Sequence, residues 1–183
     1  MTPNPEKNAQ YALRSRVLHW LMATLLLSML FIGVSMVSSL RHYHHLVALH
    51  RPLGIAILIL AVIRLVNRHF SELPPFPATM SAKERLIASA SERLLYGLML
   101  ALPVVGWAML SAGGYPIVMW GSFHLPAILP TSIALYTVLR KAHSLLAFLL
   151  FAVFLGHLSA VLFHTLVIRD GLLRRMLWRT PRT

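Results

Sequence analysis

Four long apolar runs constrain this sequence more than any other feature. They cover about residues 17–40, 46–66, 94–113 and 142–168. Each run is long enough to cross the roughly 30 Å hydrocarbon core of a membrane, which takes about 20 helical residues. Charged residues make up 12% of the chain, and they cluster between the runs. The sequence therefore predicts an all-α fold, an integral-membrane four-helix up-down bundle in which residues 1–183 form a single membrane domain.

Basic residues are divided unequally between the two ends of this predicted bundle. An even number of spans places both termini at one end, which we call the inner end; the other is the outer end. Thirteen Lys and Arg flank the spans at the inner end, and the outer end has only Arg41, Arg51, Arg140 and Lys141. The positive-inside rule then predicts cytoplasmic termini. Because the net charge of +12 comes from these flanking residues, no nucleic-acid partner is predicted.

The histidines follow a regular spacing. The chain has ten of them and no cysteine, which excludes disulfides, thiolate zinc sites and iron–sulfur clusters. His143 and His157 lie 14 residues apart in the fourth run. That interval is about 40° short of four helical turns and about 21 Å of rise, so both lie on nearly one helix face at two depths. His19 opens the first run near the inner end, and His50 opens the second near the outer end.

Matching depths define an inner pair, His19 and His157, and an outer pair, His50 and His143. A lone histidine near a helix end more commonly lies at the membrane interface than binds a ligand. Two imidazoles from different helices, however, supply the two axial positions that a porphyrin leaves on the iron of a b-type haem. A zinc or copper site needs three or four ligands at one depth. The spacing therefore predicts two haem b groups, one at each pair.

Three other residues lie at informative depths. Gly33 lies at the depth of the outer pair, where it either gives a macrocycle room or serves close helix packing. Arg64 lies at the depth of the inner pair, where it either binds a haem propionate or extends to the membrane interface. His164 follows His157 by seven residues. We consider it a candidate for quinone binding or proton handling, with contact to lipid phosphate as the simpler alternative.

Several fragments, taken in order, resemble the bacterial cytochrome b561 family, the four-helix dihaem cytochromes of the inner membrane. The fragments are "RVLHW", "LHRPLGI", "VIRLVNR", "LYGLMLALPVVGW", "KAHSLLAF", "LGHLSAVLFH" and "RDGLLRRML". The resemblance covers about residues 11–177. It implies that His19, His50, His143 and His157 are the axial ligands of two b haems, and that the protein is a multi-pass protein of the bacterial inner membrane.

The resemblance also implies an activity. Members of the family look like superoxide oxidases, which take an electron from superoxide at the periplasmic side and pass it to ubiquinone. The cations at the outer end suit an anionic substrate such as superoxide, and they equally suit haem propionates or lipid phosphates. One position departs from the family, because relatives commonly have a histidine four residues before the tyrosine of the third span. This chain has Glu92 there, before Tyr96.

Two alternatives to an independent superoxide:ubiquinone oxidoreductase follow from the sequence. In the first, the chain is the haem b subunit of a larger quinone-linked complex of the hydrogenase or formate dehydrogenase type. In the second, it is a haem-free four-helix transporter that uses its histidines for protons or metal ions. Membrane lipid is a partner in all three cases, and the sequence leaves a homodimer open.

Overall fold

The computed structural model describes residues 10–119 and 123–177, and four long helices account for most of them. The helices are α1 (Leu13–Ser38), α2 (Tyr43–His69), α3 (Ala82–Ala112) and α4 (Ile133–Phe163). A π-helical turn, His164–Ile168, continues α4, and a short 3-10 turn, Leu173–Arg175, follows it. The α3–α4 connection contains a two-stranded antiparallel hairpin of β1 (Ile117–Val118) and β2 (His124–Leu125). This content confirms the predicted all-α fold.

All four helices are long and apolar enough to cross a membrane. They extend beyond the apolar runs, since α3 begins at Ala82 and α4 at Ile133. Hydropathy marks the part of a helix that suits hydrocarbon, whereas backbone hydrogen bonding continues into polar sequence. At the start of α3, Ser81 Oγ accepts from the Glu84 N–H, and the Ser81 N–H donates to the Glu84 carboxylate. Ser81 thus caps the start of α3.

The helices pack in a chain of neighbours. α1 packs against α2, α2 against α3, and α3 against α4, whereas Cα atoms of α4 seldom lie within 8 Å of those in α1 or α2. The buried core draws on Met22, Leu26, Ile57, Leu60, Ala61, Tyr96, Leu98, Met99, Leu102 and Leu150. Large apolar side chains such as Phe31 (75% exposed) and Phe148 (74%) face outward, as expected against lipid. The backbone of α4 therefore lies apart from the backbones of α1 and α2.

Contacts between helix ends establish the up-down arrangement. At the inner end, Asn67 in α2 donates to the Ser15 hydroxyl in α1 at 2.9 Å. The Trp20 indole N–H in α1 donates to the Met176 carbonyl, beyond α4, at 2.9 Å. At the outer end, the Ser132 N–H donates to the Ala112 carbonyl at 2.8 Å and joins the α3 and α4 ends. Successive helices therefore run in opposite directions.

Candidate functional site

The outer pair forms a close ring contact between α2 and α4. The ring centroids of His50 and His143 lie 6.1 Å apart, with 68° between the ring planes. Both Nδ1 atoms are buried; the His143 ring faces the backbone of Leu102, whereas His50 Nδ1 has no hydrogen-bond partner among the described residues. A buried polar atom without a partner costs about 1–3 kcal/mol, so His50 Nδ1 in an apolar bundle marks a place for a ligand.

A glycine in α3 determines where the His143 ring can lie. A Cβ atom added at Gly106 would come within 3.2 Å of Cε1 and 3.5 Å of Nδ1 of His143. Any larger residue would therefore require the ring to shift by a few tenths of an ångström. Sequence reasoning missed this position. The available signal was a glycine in the third span at the depth of the outer pair.

The inner pair has a cation beside it. His19 in α1 and His157 in α4 are close enough to interact electrostatically. Arg64 Nη2 donates to His19 Nδ1 at 2.9 Å, and its guanidinium carbon lies 5.4 Å from the centre of the Tyr96 ring. Arg64 therefore contacts a histidine of the inner pair, at the depth that its spacing predicts. Because a guanidinium only donates, Nδ1 of His19 acts as the acceptor in this contact.

Below the inner pair, Glu92 is held in an ion pair. Arg68 Nη1 lies 2.5 Å from Glu92 Oε1, and each side chain is 33% exposed. Glu92 lies one helical turn before Tyr96, whose ring lies under Arg64. The position where the family resemblance led us to expect histidine is thus occupied by a carboxylate paired with α2. Sequence reasoning noted Glu92 but did not predict Arg68 as its partner.

His164 lies at the end of α4, away from both pairs, and it is only 5% exposed. Its Nδ1 lies 2.6 Å from Oδ2 of Asp170, a residue that sequence reasoning missed. Burial raises the pKa of the Asp170 carboxyl, but hydrogen bonds from His164 and from the backbone of Leu172 lower it more. The net result is a pKa below its ordinary value of 3.8. His164 therefore has a carboxylate partner within the protein. A histidine that faced only lipid would have no such partner.

Within residues 10–119 and 123–177, the histidines that approach one another do so as two pairs, the inner pair and the outer pair. No group of three or more His, Cys, Asp or Glu in these ranges is close enough to hold a metal ion. This arrangement suits axial ligation of a porphyrin and does not suit a zinc or copper site. A Cβ atom added at Gly33 would meet no atom within 4 Å, so close helix packing does not explain that glycine.

Comparisons with known proteins identify the family. A family model described as prokaryotic cytochrome b561 matches residues 10–179. The chain is 32% identical to cytochrome b561 homolog 2 of Escherichia coli strain K12, over 98% of this chain and 95% of that protein. It is 30% identical to the probable superoxide oxidase CybB of Yersinia pestis, over 70% of this chain and 73% of that protein. A third relative, cytochrome b561 homolog 1 of E. coli K12, is 28% identical over 71% of this chain and 73% of that protein.

The chain belongs to the prokaryotic cytochrome b561 family. This confirms the resemblance noted in the sequence. It makes the protein a multi-pass membrane cytochrome of the b type, whose chemistry is electron transfer and whose family implies b-type haem as the cofactor.

The outer pair fits such a haem by its ring spacing. An imidazole nitrogen binds a metal at about 2 Å, and the ring centre lies about 1 Å further away, so two axial rings on one iron have centres about 6 Å apart. The observed separation is 6.1 Å.

Proposed function

We propose that this protein is a dihaem b cytochrome that transfers electrons from superoxide to ubiquinone across the bacterial inner membrane. The proposal treats the whole chain as one membrane domain with both termini in the cytoplasm. Its main support is the outer pair, where His50 and His143 lie at the separation that two axial ligands of one iron require.

In this proposal each haem is held by α4 on one side and by the α1–α2 hairpin on the other. His50 and His143 are the axial ligands at the outer end, and His19 and His157 are the axial ligands at the inner end. The haems, when bound, supply two one-electron carriers stacked along the bundle. Arg64 binds at the inner haem as a cation that neutralises negative charge. Its bond to His19 Nδ1 leaves the ring hydrogen on Nε2, so Arg64 would turn to a propionate when that ring binds iron.

The overall reaction balances two one-electron donors against one two-electron acceptor. Two superoxide anions each lose one electron and become molecular oxygen. One ubiquinone gains both electrons, takes up two protons and becomes ubiquinol. Two histidines at each haem would leave no open position on iron, so electron transfer from superoxide would be outer-sphere. The protein must therefore guide an anion to the outer end and deliver protons to the quinone.

The charge distribution supports superoxide as the donor. The described acidic residues all lie toward the inner end, at Glu72, Glu84, Glu92 and Asp170. The outer end carries Arg41, Arg51, Arg140 and Lys141, of which Arg51 donates to the Pro116 carbonyl and Arg140 to the Tyr136 hydroxyl. A field of one sign steers small anions and raises their association rate. The similarity to a probable superoxide oxidase points the same way.

His164 is our candidate for quinone binding or proton handling. Its Nδ1 atom bonds to the Asp170 carboxylate, so Nε2 is the ring nitrogen that we propose for a quinone oxygen or a proton. His164 lies near the inner end, where protons from the cytoplasm would enter. The quinone is therefore proposed to be reduced toward the inner haem, on the side opposite to superoxide.

Purified protein tests the proposal directly. We expect two haems per chain, two b-type components in the reduced α-band region, and ubiquinone reduction driven by enzymatically generated superoxide. Activity that appears only after a partner protein is added would replace the proposal with a haem b subunit of a larger complex. A preparation without haem that remains folded would replace it with a haem-free transporter. Size analysis in the same preparation tests for the homodimer.

A further inference from the structure

The chain reverses direction immediately after α4 and brings a carboxylate back to the helix. The π-helical turn over His164–Ile168 ends at Arg169, which adopts a left-handed backbone with φ 57°. The N–H groups of Arg169 and Asp170 both point to the His164 carbonyl, the second at 3.4 Å. A left-handed conformation costs a residue other than glycine about 1–2 kcal/mol. This reversal places Asp170 beside the ring of His164.

Three donors fix the orientation of the Asp170 carboxylate. Oδ2 accepts from His164 Nδ1 at 2.6 Å and from the Thr79 hydroxyl at 3.2 Å. Oδ1 accepts from the Leu172 N–H at 3.0 Å. The side chains of His164 and Asp170 are only 7% and 1% exposed. Donors from the α2–α3 connection and from the C-terminal segment thus hold one carboxylate against one imidazole.

This contact selects one tautomer of the ring. An ionised carboxylate only accepts hydrogen bonds, so Nδ1 of His164 must carry the hydrogen in a contact of 2.6 Å. The hydrogen bond at one ring nitrogen decides which form the other nitrogen takes. Nε2 is then the nitrogen with a free lone pair. It can accept a proton from the inner aqueous side and donate it to a quinone oxygen.

We propose that Asp170 is the positioning residue of a proton-transfer pair, in which it holds His164 with Nδ1 protonated so that Nε2 exchanges protons with quinone. This inference rests on the proposed function of His164 and adds a residue that acts through it. The proton passes from Nε2 to the oxygen of the quinone as that oxygen gains electron density, and Nε2 is reprotonated from the cytoplasm. The Asp170 carboxylate remains ionised throughout.

Glu84 provides a matched control for loss of charge. It lies close enough to His164 and Asp170 to interact with both electrostatically, yet its hydrogen bonds go to Ser81. Glu84→Gln therefore removes a nearby negative charge without touching the ring, and glutamine preserves the capping box. Asp170→Asn removes the charge, and because the Leu172 N–H requires an acceptor at Oδ1, the amide N–H takes the place of Oδ2 beside the ring.

The first measurement is the tautomer of His164 in the haem-loaded, full-length protein in nanodiscs. Nitrogen-15 NMR of labelled histidines reports which ring nitrogen carries hydrogen at a pH where the ring is neutral, and His164→Gln identifies the signals. We expect Nδ1–H in the wild type and in Glu84→Gln, and Nε2–H in Asp170→Asn. A wild-type ring with hydrogen on Nε2 overturns the proposal, even if no Asp170 variant assembles.

The second measurement is the rate of superoxide-driven ubiquinone reduction. We expect Asp170→Asn to lower this rate on the order of 10-fold at unchanged haem content, and Glu84→Gln to leave it unchanged. A changed tautomer with an unchanged rate overturns the positioning role. A wild type that does not reduce ubiquinone contradicts the proposed function instead, and the tautomer measurement then still tests the contact between Asp170 and His164.

Discussion

The two ends of the bundle are held together by different chemistry. At the inner end, ion pairs add to the neutral contacts, with Arg68 bound to Glu92 and Asp170 bound to a buried histidine. At the outer end no described residue is acidic, and the contacts include Trp107, which donates to a carbonyl of the following loop, and the Ser111 hydroxyl, which accepts from the same loop. We infer that the inner end responds to charge and protons, whereas the outer end responds to shape.

The two histidine pairs show the same division. The outer rings lie 6.1 Å apart, and a glycine in α3 leaves room for one of them. In the inner pair, an arginine donates to the ring of His19. A change of volume should therefore disturb the outer pair, and a change of charge should disturb the inner pair. Four predictions test this comparison, beginning with the largest effect.

Removal of one histidine from either pair should remove the haem of that pair and leave the other haem in place. His157→Ala should abolish the inner haem and leave the outer one, and His143→Ala should do the reverse, because each iron would lose an axial bond. The haem-to-protein ratio should fall from about two to about one in both variants. The two variants should retain different components of the reduced spectrum. Loss of both haems, or of neither, in either variant would contradict the assignment of pairs.

Removal of the cation should lower the potential of the inner haem alone. Arg64→Leu removes a positive charge that favours the reduced, less positive iron, so we expect a fall on the order of 60 mV, equivalent to about 1.4 kcal/mol for one electron. Spectroelectrochemical titration resolves the two components. Arg14→Leu is the matched control, since Arg14 is exposed and donates to Phe70 and Ser71. An unchanged titration in Arg64→Leu would refute an electrostatic role.

Added volume should disturb the outer pair alone. Gly106→Ala places a methyl group 3.2 Å from the His143 ring, so we expect a shifted absorption band and weaker haem retention at the outer site. Gly54→Ala is the control, because its Cβ atom would meet Met29 at an ordinary 3.7 Å. Alanine itself favours a helix over glycine by about 1 kcal/mol, so a loss in Gly106→Ala would arise from the clash. Equal spectra in both variants would oppose this interpretation.

Acid should loosen the inner end before the outer end. The pKa of Asp170 lies below its ordinary value of 3.8, so ionised Asp170 stabilises the fold above that value. The stabilisation is lost as the pH falls through the lower folded pKa. Hydrogen exchange should therefore show less protection near Leu172, and unchanged protection near Ser132, as the pH falls below 3.8. Simultaneous loss at both ends would indicate that the bundle opens as one unit.

Much of the fold could be predicted because lipid restricts a spanning chain to few structures. Hydropathy predicted four helices, and the structure has four, but it did not predict that α3 begins at Ala82. Residues 82–93 are polar enough to leave the hydrocarbon, and only a capping box at Ser81 and Glu84 marks the true start. A capping box depends on local hydrogen bonds, which a hydropathy profile does not detect.

The sequence predicted those features of the site that depend on the position of a residue along a helix. The positions of His50 and His143 at the outer ends of their spans predicted that they lie at one depth, and the structure brings their rings together. Spacing also predicted the depth of Arg64. It did not predict the hydrogen bond to His19, because side-chain rotation is not contained in helical periodicity. The roles of these residues as haem ligands and haem partners remain predictions.

Asp170 was missed for a different reason. Its position depends on a widened helical turn and on a left-handed Arg169, and neither follows from the period of an ideal helix. A weak signal was present, since the chain has only five acidic residues and one of them directly precedes Gly171 after the last span. An Asp-Gly step at a helix end indicates a reversal of the chain.

Helix α4 carries one member of each pair within a single unbroken element, and this has a consequence for how the protein can change in length. One inserted residue between His143 and His157 would turn one ring about 100° away from its partner, and one deleted residue would do the same in the other sense. Insertions in the connection over residues 113–132 leave that angle untouched. Length variation among natural relatives should therefore fall in the connections, and the segment from His143 to His157 should keep its number of residues.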